Sequence, residues 1–282
     1  MTFREALNWG KEKLQHAGIP EYDLDAWLLL EHVSGLSRAM YFVRDREEME
    51  ESCREQYEEA IRKRESRVPL QHITGVQEFM GYEFHVNEHV LIPRQDTEIL
   101  VEEADRAADD TGAKRILDVC TGSGCILLSL LKMNENRTGT GSDLSEPALK
   151  MAEENRRLLE IPEERAAFVQ SDLFERIEGT YDMIVSNPPY IRTEEIRKLQ
   201  EEVRLHDPYG ALDGKEDGLY FYRKIISQSP SYLEDGGYLI FEIGHDQACD
   251  VTGMMRAQGF SDVSVKKDLA GLDRVVYGRY IR

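Results

Sequence analysis

The chain is short of cysteine, of positive charge and of long apolar runs, and each shortage removes a class of function. Its four cysteines, Cys53, Cys120, Cys125 and Cys249, include no Cys-x-x-Cys pair. That argues against zinc-ribbon and thioredoxin-like chemistry and fits free thiols. His85 and His89 are four apart but lack the Glu that a zinc-protease helix needs, so no metal is expected. No stretch reaches the roughly 18 consecutive apolar residues of a membrane span. The opening Met1-Thr-Phe-Arg-Glu-Ala6 has no apolar signal core. A cytoplasmic protein without a membrane partner is the expectation. Lys and Arg total 35 against 54 Asp and Glu, a formal net charge of −19. Such an excess repels phosphates, so direct nucleic-acid binding is not expected, and the basic run Arg62-Lys63-Arg64 reads as a solvated helix face.

What is present suffices for two domains: 282 residues, 41% of them hydrophobic. Residues 1–72 read as helices only. Phe3, Ala6, Leu7 and Leu14 recur at helical spacing up to Gly18-Ile-Pro20. Asp23 opens a second helix with Leu24, Trp27, Leu28 and Val33 on one side, closed by Gly35. A third is expected from Arg46 to Arg67, with Cys53, Tyr57, Ala60 and Ile61 in one stripe. Three helices make a small bundle suited to presenting a surface. Residues 73–92, with Phe79, Tyr82, Phe84 and Val86, read as a β-hairpin linker. From 93 to 282 strand and helix alternate. Strand candidates are Arg115–Val119, Thr140–Asp143, Ala166–Val169, Tyr181–Ser186 and Tyr238–Ile243, followed by a closing pair at Ser261–Lys267 and Arg274–Tyr280. The expected class is α/β: a Rossmann-like, mainly parallel sheet covered on both faces, preceded by the helical bundle.

Two motifs carry chemistry. In Ile116-Leu-Asp-Val-Cys-Thr-Gly-Ser-Gly124 a strand runs into a turn that opens a helix. Gly122 and Gly124 let backbone approach a ligand, and the helix N-terminus offers free N–H groups. Asp143 ends the next strand, 19 residues after Gly124, where a carboxylate accepts from ribose hydroxyls. Asp172 follows the third strand, in reach of an adenine amino group. Leu127 stands where a dinucleotide fingerprint has its third glycine, which shifts weight from NAD to S-adenosylmethionine. The cofactor site is therefore drawn from Cys120, Thr121, Gly122, Ser123, Gly124, Asp143 and Asp172.

The second motif is Asn187-Pro188-Pro189-Tyr190, directly after the strand Tyr181–Ser186. An amide or aromatic amine is a poor nucleophile because its lone pair is delocalised. A site that methylates one must hold its N–H groups with acceptors and aim the lone pair. The Asn187 side-chain oxygen and the Pro188 carbonyl offer two acceptors, the prolines stiffen the loop, and Tyr190 can pack against the planar group. The same loop type serves amino groups of adenine and guanine, so a nucleic-acid substrate stays open on the motif alone. Glu242 ends an apolar strand and faces either the site or a capping role.

With Pro69-Leu-Gln-His-Ile-Thr-Gly75, Leu91-Ile-Pro-Arg-Gln-Asp-Thr-Glu98, Ala211-Leu-Asp-Gly214, Asp217-Gly-Leu219 and Asp268-Leu-Ala-Gly-Leu-Asp-Arg274 added, the whole chain resembles the bacterial release-factor glutamine N5-methyltransferases of the HemK type. The resemblance implies S-adenosylmethionine as cofactor and, as acceptor, the glutamine of the Gly-Gly-Gln loop of class I peptide chain release factors. It also implies a helical N-terminal domain that helps recognise them, with Arg94 bordering the cofactor or substrate pocket. A related enzyme acting on a ribosomal-protein glutamine would share this chemistry. The resemblance also places Leu173 and Asn187 in the cofactor site. Two positions depart from the family: Cys120 stands where glycine is usual, and Leu173 where a large aromatic is usual.

Overall fold

In the computed structural model, which describes residues 1–282, the chain divides into two compact units: Met1–Gly75 with Gln200–His206, and Val76–Leu199 with Asp207–Arg282. The first contains α1 (Phe3–His16), α2 (Tyr22–Ser34), α3 (Arg38–Arg44), α4 (Glu51–Glu65) and α5 (Leu70–Thr74). α1 starts at a capping box, in which the Thr2 hydroxyl accepts from Glu5 N–H and the Glu5 carboxylate accepts from Thr2 N–H. Its core is Leu14, Ile19, Ala26, Leu29, Leu30, Tyr57 and Ile61, all essentially buried.

Three expectations need correcting here. The third predicted helix begins at Glu51, and the short α3 occupies the preceding stretch, started by the Ser37 hydroxyl accepting from Met40 N–H. α2 buries Ala26, Trp27, Leu29 and Leu30, whereas Leu24 is exposed. The helix is apolar nearly all round, so period alone could not choose its face. The choice is made by Asp25, which is buried against Arg64 of α4 at 2.7 Å. Finally, Arg64, expected on a solvated face with Arg62 and Lys63, is buried; Leu70–Thr74 forms a further helical turn that Gly75 ends in the left-handed conformation. The same Arg64 also pairs with Glu202 at 3.2 Å, which ties Gln200–His206 to this unit.

The second unit begins with the hairpin β1 (Val76–Phe79) and β2 (Tyr82–His85), then α6 (Gln95–Thr111). The elements β3 (Arg115–Val119), α7 (Cys125–Met133), β4 (Thr138–Asp143), α8 (Glu146–Leu158), β5 (Ala166–Gln170) and β6 (Tyr181–Ser186) alternate as the pattern implied. Between β6 and β7 lie four helices: α9 (Thr193–Ile196), α10 (Glu201–His206, part of the first unit), α11 (Tyr209–Leu212) and α12 (Tyr220–Gln228). β7 (Leu233–Glu242), α13 (Ala248–Ala257), β8 (Phe260–Lys267) and β9 (Asp273–Tyr280) complete the chain. The sheet runs β5-β4-β3-β6-β7-β9-β8, parallel except for β9, which is antiparallel to both of its neighbours.

Side chains alternate between two cores because successive strand residues point to opposite faces. Ile116, Met183, Val185, Ile240 and Val275 enter one core; Leu117, Ile184, Leu239, Phe241 and Val276 enter the other. The hairpin packs within this unit, with Phe79 and Phe84 in the first core. Asn155 of α8 anchors it, accepting from His85 N–H at 2.6 Å and donating to His85 C=O at 3.0 Å.

Candidate active site

Parallel register brings the two motifs together. Val119 pairs with Ser142 on one side and Ser186 on the other, and Ser186 pairs with Phe241. The residues that follow these strands in sequence, Cys120, Asn187 and Glu242, therefore meet Asp143 at one carboxyl edge. β3 is also where strand order reverses, the place where open α/β sheets hold ligands.

A cavity of about 440 Å³ opens there. Cys120, Thr121, Gly122, Ser123, Asp143, Asp172, Leu173, Asn187, Pro189 and Arg94 all line it. Gly124, Pro188 and Tyr190 do not. Gly124 caps α7 in a left-handed conformation, and a Cβ there would press on Leu128 at 3.0 Å and Ala152 at 3.2 Å. Pro188 is buried. The Tyr190 hydroxyl turns inward to donate to Glu242 Oε1 at 3.2 Å.

The turn after β3 is held from below by carboxylates. Thr121 donates its hydroxyl to Asp118 Oδ2 at 2.6 Å. Asp143 accepts from Gly122 N–H and Ser145 N–H, both at 2.9 Å. Asn155 adds a bond to the Ser123 carbonyl at 3.0 Å. Gly122 has φ +55° and open space where a Cβ would be, which leaves its backbone bare to the cavity. Cys120 takes φ +63°, the left-handed conformation that glycine, the family's usual residue here, adopts freely. Leu173 is likewise left-handed, at φ +52°.

Burial dominates the electrostatics. Asp118 is pushed up to about 7 by complete burial, against the lowering effect of the Thr121 hydroxyl. Asp143 is raised for the same reason despite its backbone donors. The Cys120 thiol is held well above its ordinary range by burial, then by the Asp143 and Asp118 charges, which favours the protonated form. Arg94 reaches the carboxylate of buried Asp207 at 2.7 Å.

The Asn187–Tyr190 loop is clamped along the backbone that follows it. Ile191 N–H donates to Leu212 C=O and Gly214 N–H donates to Ile191 C=O. Gln247 donates to the Tyr190 carbonyl at 3.0 Å. A Cβ on Gly214 would stand 2.7 Å from Tyr190 Cα, and one on Gly218 would strike the Tyr190 carbonyl oxygen. The two glycines of the 211–219 segment therefore let a second backbone lie directly against this loop.

Thr97, Asp118, Asn155 and Asp207 are structural partners of this site that sequence reasoning did not single out. Asp118 had a signal, a carboxylate inside an apolar strand, and Thr97 lies within the specific 91–98 segment. Asn155 and Asp207 stand in polar stretches and carry no local mark.

A nucleoside-sized cavity at the switch point, a bare glycine turn and an acidic strand end define a class I S-adenosylmethionine-dependent methyltransferase. Similarity to solved structures supports this fold. A methyltransferase from Pyrococcus furiosus superimposes with TM-score 0.54 at 15% identity, over 78% of this chain and 99% of that one. A T. thermophilus 16S rRNA N2 methyltransferase in complex with AdoMet and guanosine gives TM-score 0.52 at 15% identity, over 73% and 49%. The PrmC N-terminal domain model matches residues 5–75, and the methyltransferase small domain model matches residues 95–203. The release factor glutamine methyltransferase of Clostridium acetobutylicum is 40% identical over 279 residues, 98% of each chain. That of Geobacter sulfurreducens is 40% identical over 284 residues, 99% of this chain and 96% of its own. The chain belongs to the release factor glutamine methyltransferase family.

Proposed function

We propose that this enzyme methylates the side-chain nitrogen of the glutamine in the Gly-Gly-Gln loop of class I peptide chain release factors. The observation that carries this reading is the clamped Asn187-Pro188-Pro189-Tyr190 loop beside the cavity, in a chain related over nearly its whole length to release factor glutamine methyltransferases. The acidic charge of −19 supports a protein acceptor over a polyanion.

The residues fit S-adenosylmethionine. Asp143, Asp172 and Leu173 line one cavity and the Gly122 backbone is uncovered for close approach; Asp143 would accept from the ribose hydroxyls, and Asp172 and Leu173 would meet the adenine. When bound, the cofactor supplies a methyl group made electrophilic by its sulfonium. The chain's own task is orientation. The Asn187 oxygen accepts one hydrogen of the glutamine amide, and the Pro188 carbonyl, on a residue outside the cavity lining, is the expected second acceptor; together they fix its plane and turn the nitrogen lone pair to the methyl group. Both acceptors also favour the partial positive charge that develops on that nitrogen. No strong base is required, because the amide becomes acidic once methylation begins and its proton passes to water. Arg94, held by Asp207, borders the entrance, and the helical unit 1–75 supplies recognition surface for the release factor.

The direct test is transfer of labelled methyl from S-adenosylmethionine to purified release factor, beside a factor whose loop reads Gly-Gly-Ala. Label on the first alone is expected; equal label on both would remove the glutamine assignment. Asn187→Ala should cut turnover by about 10²-fold, as for loss of one preorganised polar contact, with cofactor binding retained.

A further inference from the structure

The acceptor loop is wired to a buried carboxylate that the proposed chemistry does not use. Glu242, at the end of β7, is 2% exposed, and so is Thr97, in the first turn of α6. Thr97 donates its hydroxyl to Glu242 Oε2 at 2.6 Å. Asn187 Nδ2 donates to Thr97 Oγ1 at 3.3 Å. The other Glu242 oxygen accepts from the Tyr190 hydroxyl. One carboxylate thus holds both ends of the Asn187–Tyr190 loop, once directly and once through Thr97.

The direction of these bonds has a chemical consequence. A carboxylate accepts only, so the single proton of the Thr97 hydroxyl is committed to Glu242. What Thr97 then offers Asn187 is a lone pair, and only the NH₂ end of the amide can meet it. A side-chain amide turned through 180° would bring its oxygen against that lone pair, two acceptors face to face with the bond unmade. The Asn187 oxygen is left for the cavity, which Asn187 lines. Burial pushes the Glu242 carboxyl upward, and the Thr97 hydroxyl bond and then the Arg274 charge oppose it; the ion pairs of Arg274 itself are to Asp268 at 2.9 Å and Asp96 at 3.2 Å.

We infer that Thr97 and Glu242 are positioning residues: their hydroxyl–carboxylate relay locks the Asn187 amide with its oxygen toward the acceptor nitrogen. The inference rests on the reading of Asn187 as the group that holds the substrate amide. It also gives the Asp96-Thr97-Glu98 part of the sequence segment a function. Thr97 belongs to the relay, and Glu98 accepts from Met80 N–H at 2.6 Å, fixing α6 to the hairpin.

Thr97→Val keeps shape and removes the relay; Thr97→Ser keeps the hydroxyl. With release factor as acceptor, Thr97→Val should lower kcat by roughly 10- to 100-fold, the range of a lost preorganised contact. KM and the S-adenosylmethionine Kd should stay within about threefold, a change of under 1 kcal/mol. Thr97→Ser should restore kcat to within about the same factor of wild type. Glu242→Gln should lower kcat in the same sense as Thr97→Val. In an Asn187→Ala background Thr97→Val should have no further effect, because its path to the substrate is already gone. Wild-type kcat in both Thr97→Val and Glu242→Gln overturns the relay. So does equal loss in the Ser and Val variants, or full additivity with Asn187→Ala, either of which marks a packing role. If Asn187→Ala alone turns over normally, it is the underlying reading of the acceptor loop that fails.

Discussion

At the scale of single residues, this site depends on carboxylates in places that disfavour charge. Asp143 holds Gly122 and is the proposed acceptor of the ribose hydroxyls, so Asp143→Ala should remove two functions at once. The expected result is a 10- to 100-fold weaker S-adenosylmethionine Kd, the magnitude of losing one charge-assisted hydrogen bond, measured by calorimetry. An unchanged Kd would exclude Asp143 from the cofactor site. Asp118 titrates in an accessible range. Its folded-state value, about 7, lies above the ordinary 3.8. The folded protein therefore binds this proton more tightly than the unfolded chain, and the contribution to stability is full below pH 3.8 and lost as pH rises through about 7. Melting temperature should fall between about pH 4 and pH 7, and Asp118→Asn should flatten that slope. A parallel slope in the variant would locate the dependence elsewhere.

Residue roles were unevenly legible in the sequence. The glycine turn and the acceptor loop announce themselves because each is a contiguous run whose chemistry is local. Glu242 was visible only as an acid at the end of an apolar strand, and its partner Thr97 lies 145 positions away. No local pattern can report that pair, since it exists only once β7 and α6 are packed together.

At the scale of elements, the acceptor loop owes its shape to close backbone contact. Gly214→Ala would put a methyl 2.7 Å from Tyr190 Cα, with backbone on both sides and no flexible side chain to give way. The expected cost is about 1–3 kcal/mol, typical of overpacking, with a fall in turnover as Tyr190 and its loop shift. Calorimetric stability and turnover should drop together; wild-type values in both would mean that the contact relaxes freely. In the helical unit, Thr2→Ala removes the α1 capping box and should cost about 1 kcal/mol, read as a lower melting temperature. Element prediction succeeded where period and length were unambiguous, as in β3, β6 and α1. It failed for α2, where an apolar surface on every side hid the buried face, and for α3 and α5, which are too short to build a period.

At the scale of the molecule, there are two units with separate cores, and the first is closed by a buried polar group. Arg64 joins α4 to Asp25 of α2 and to Glu202 of the distant segment Gln200–His206. Arg64→Ala leaves Asp25 buried without its cation and should destabilise the helical unit by about 3–5 kcal/mol. Cofactor affinity, which belongs to the second unit, should remain near wild type. A large loss of S-adenosylmethionine binding in this variant would show that the units do not fold independently.

The sequence by itself determined the class of the enzyme. The strand–helix alternation dictates a parallel sheet, and the two loops that follow β3 and β6 carry their chemistry in adjacent residues. Only the tertiary structure decided how those loops are held: which face α2 buries, that residues 200–206 complete the helical unit, and that Glu242 governs Asn187 through Thr97. The division has one physical cause. Propensity, periodicity and turn chemistry act between near neighbours in the chain, while burial, charge pairing and hydrogen-bond direction are set by groups that meet only after folding.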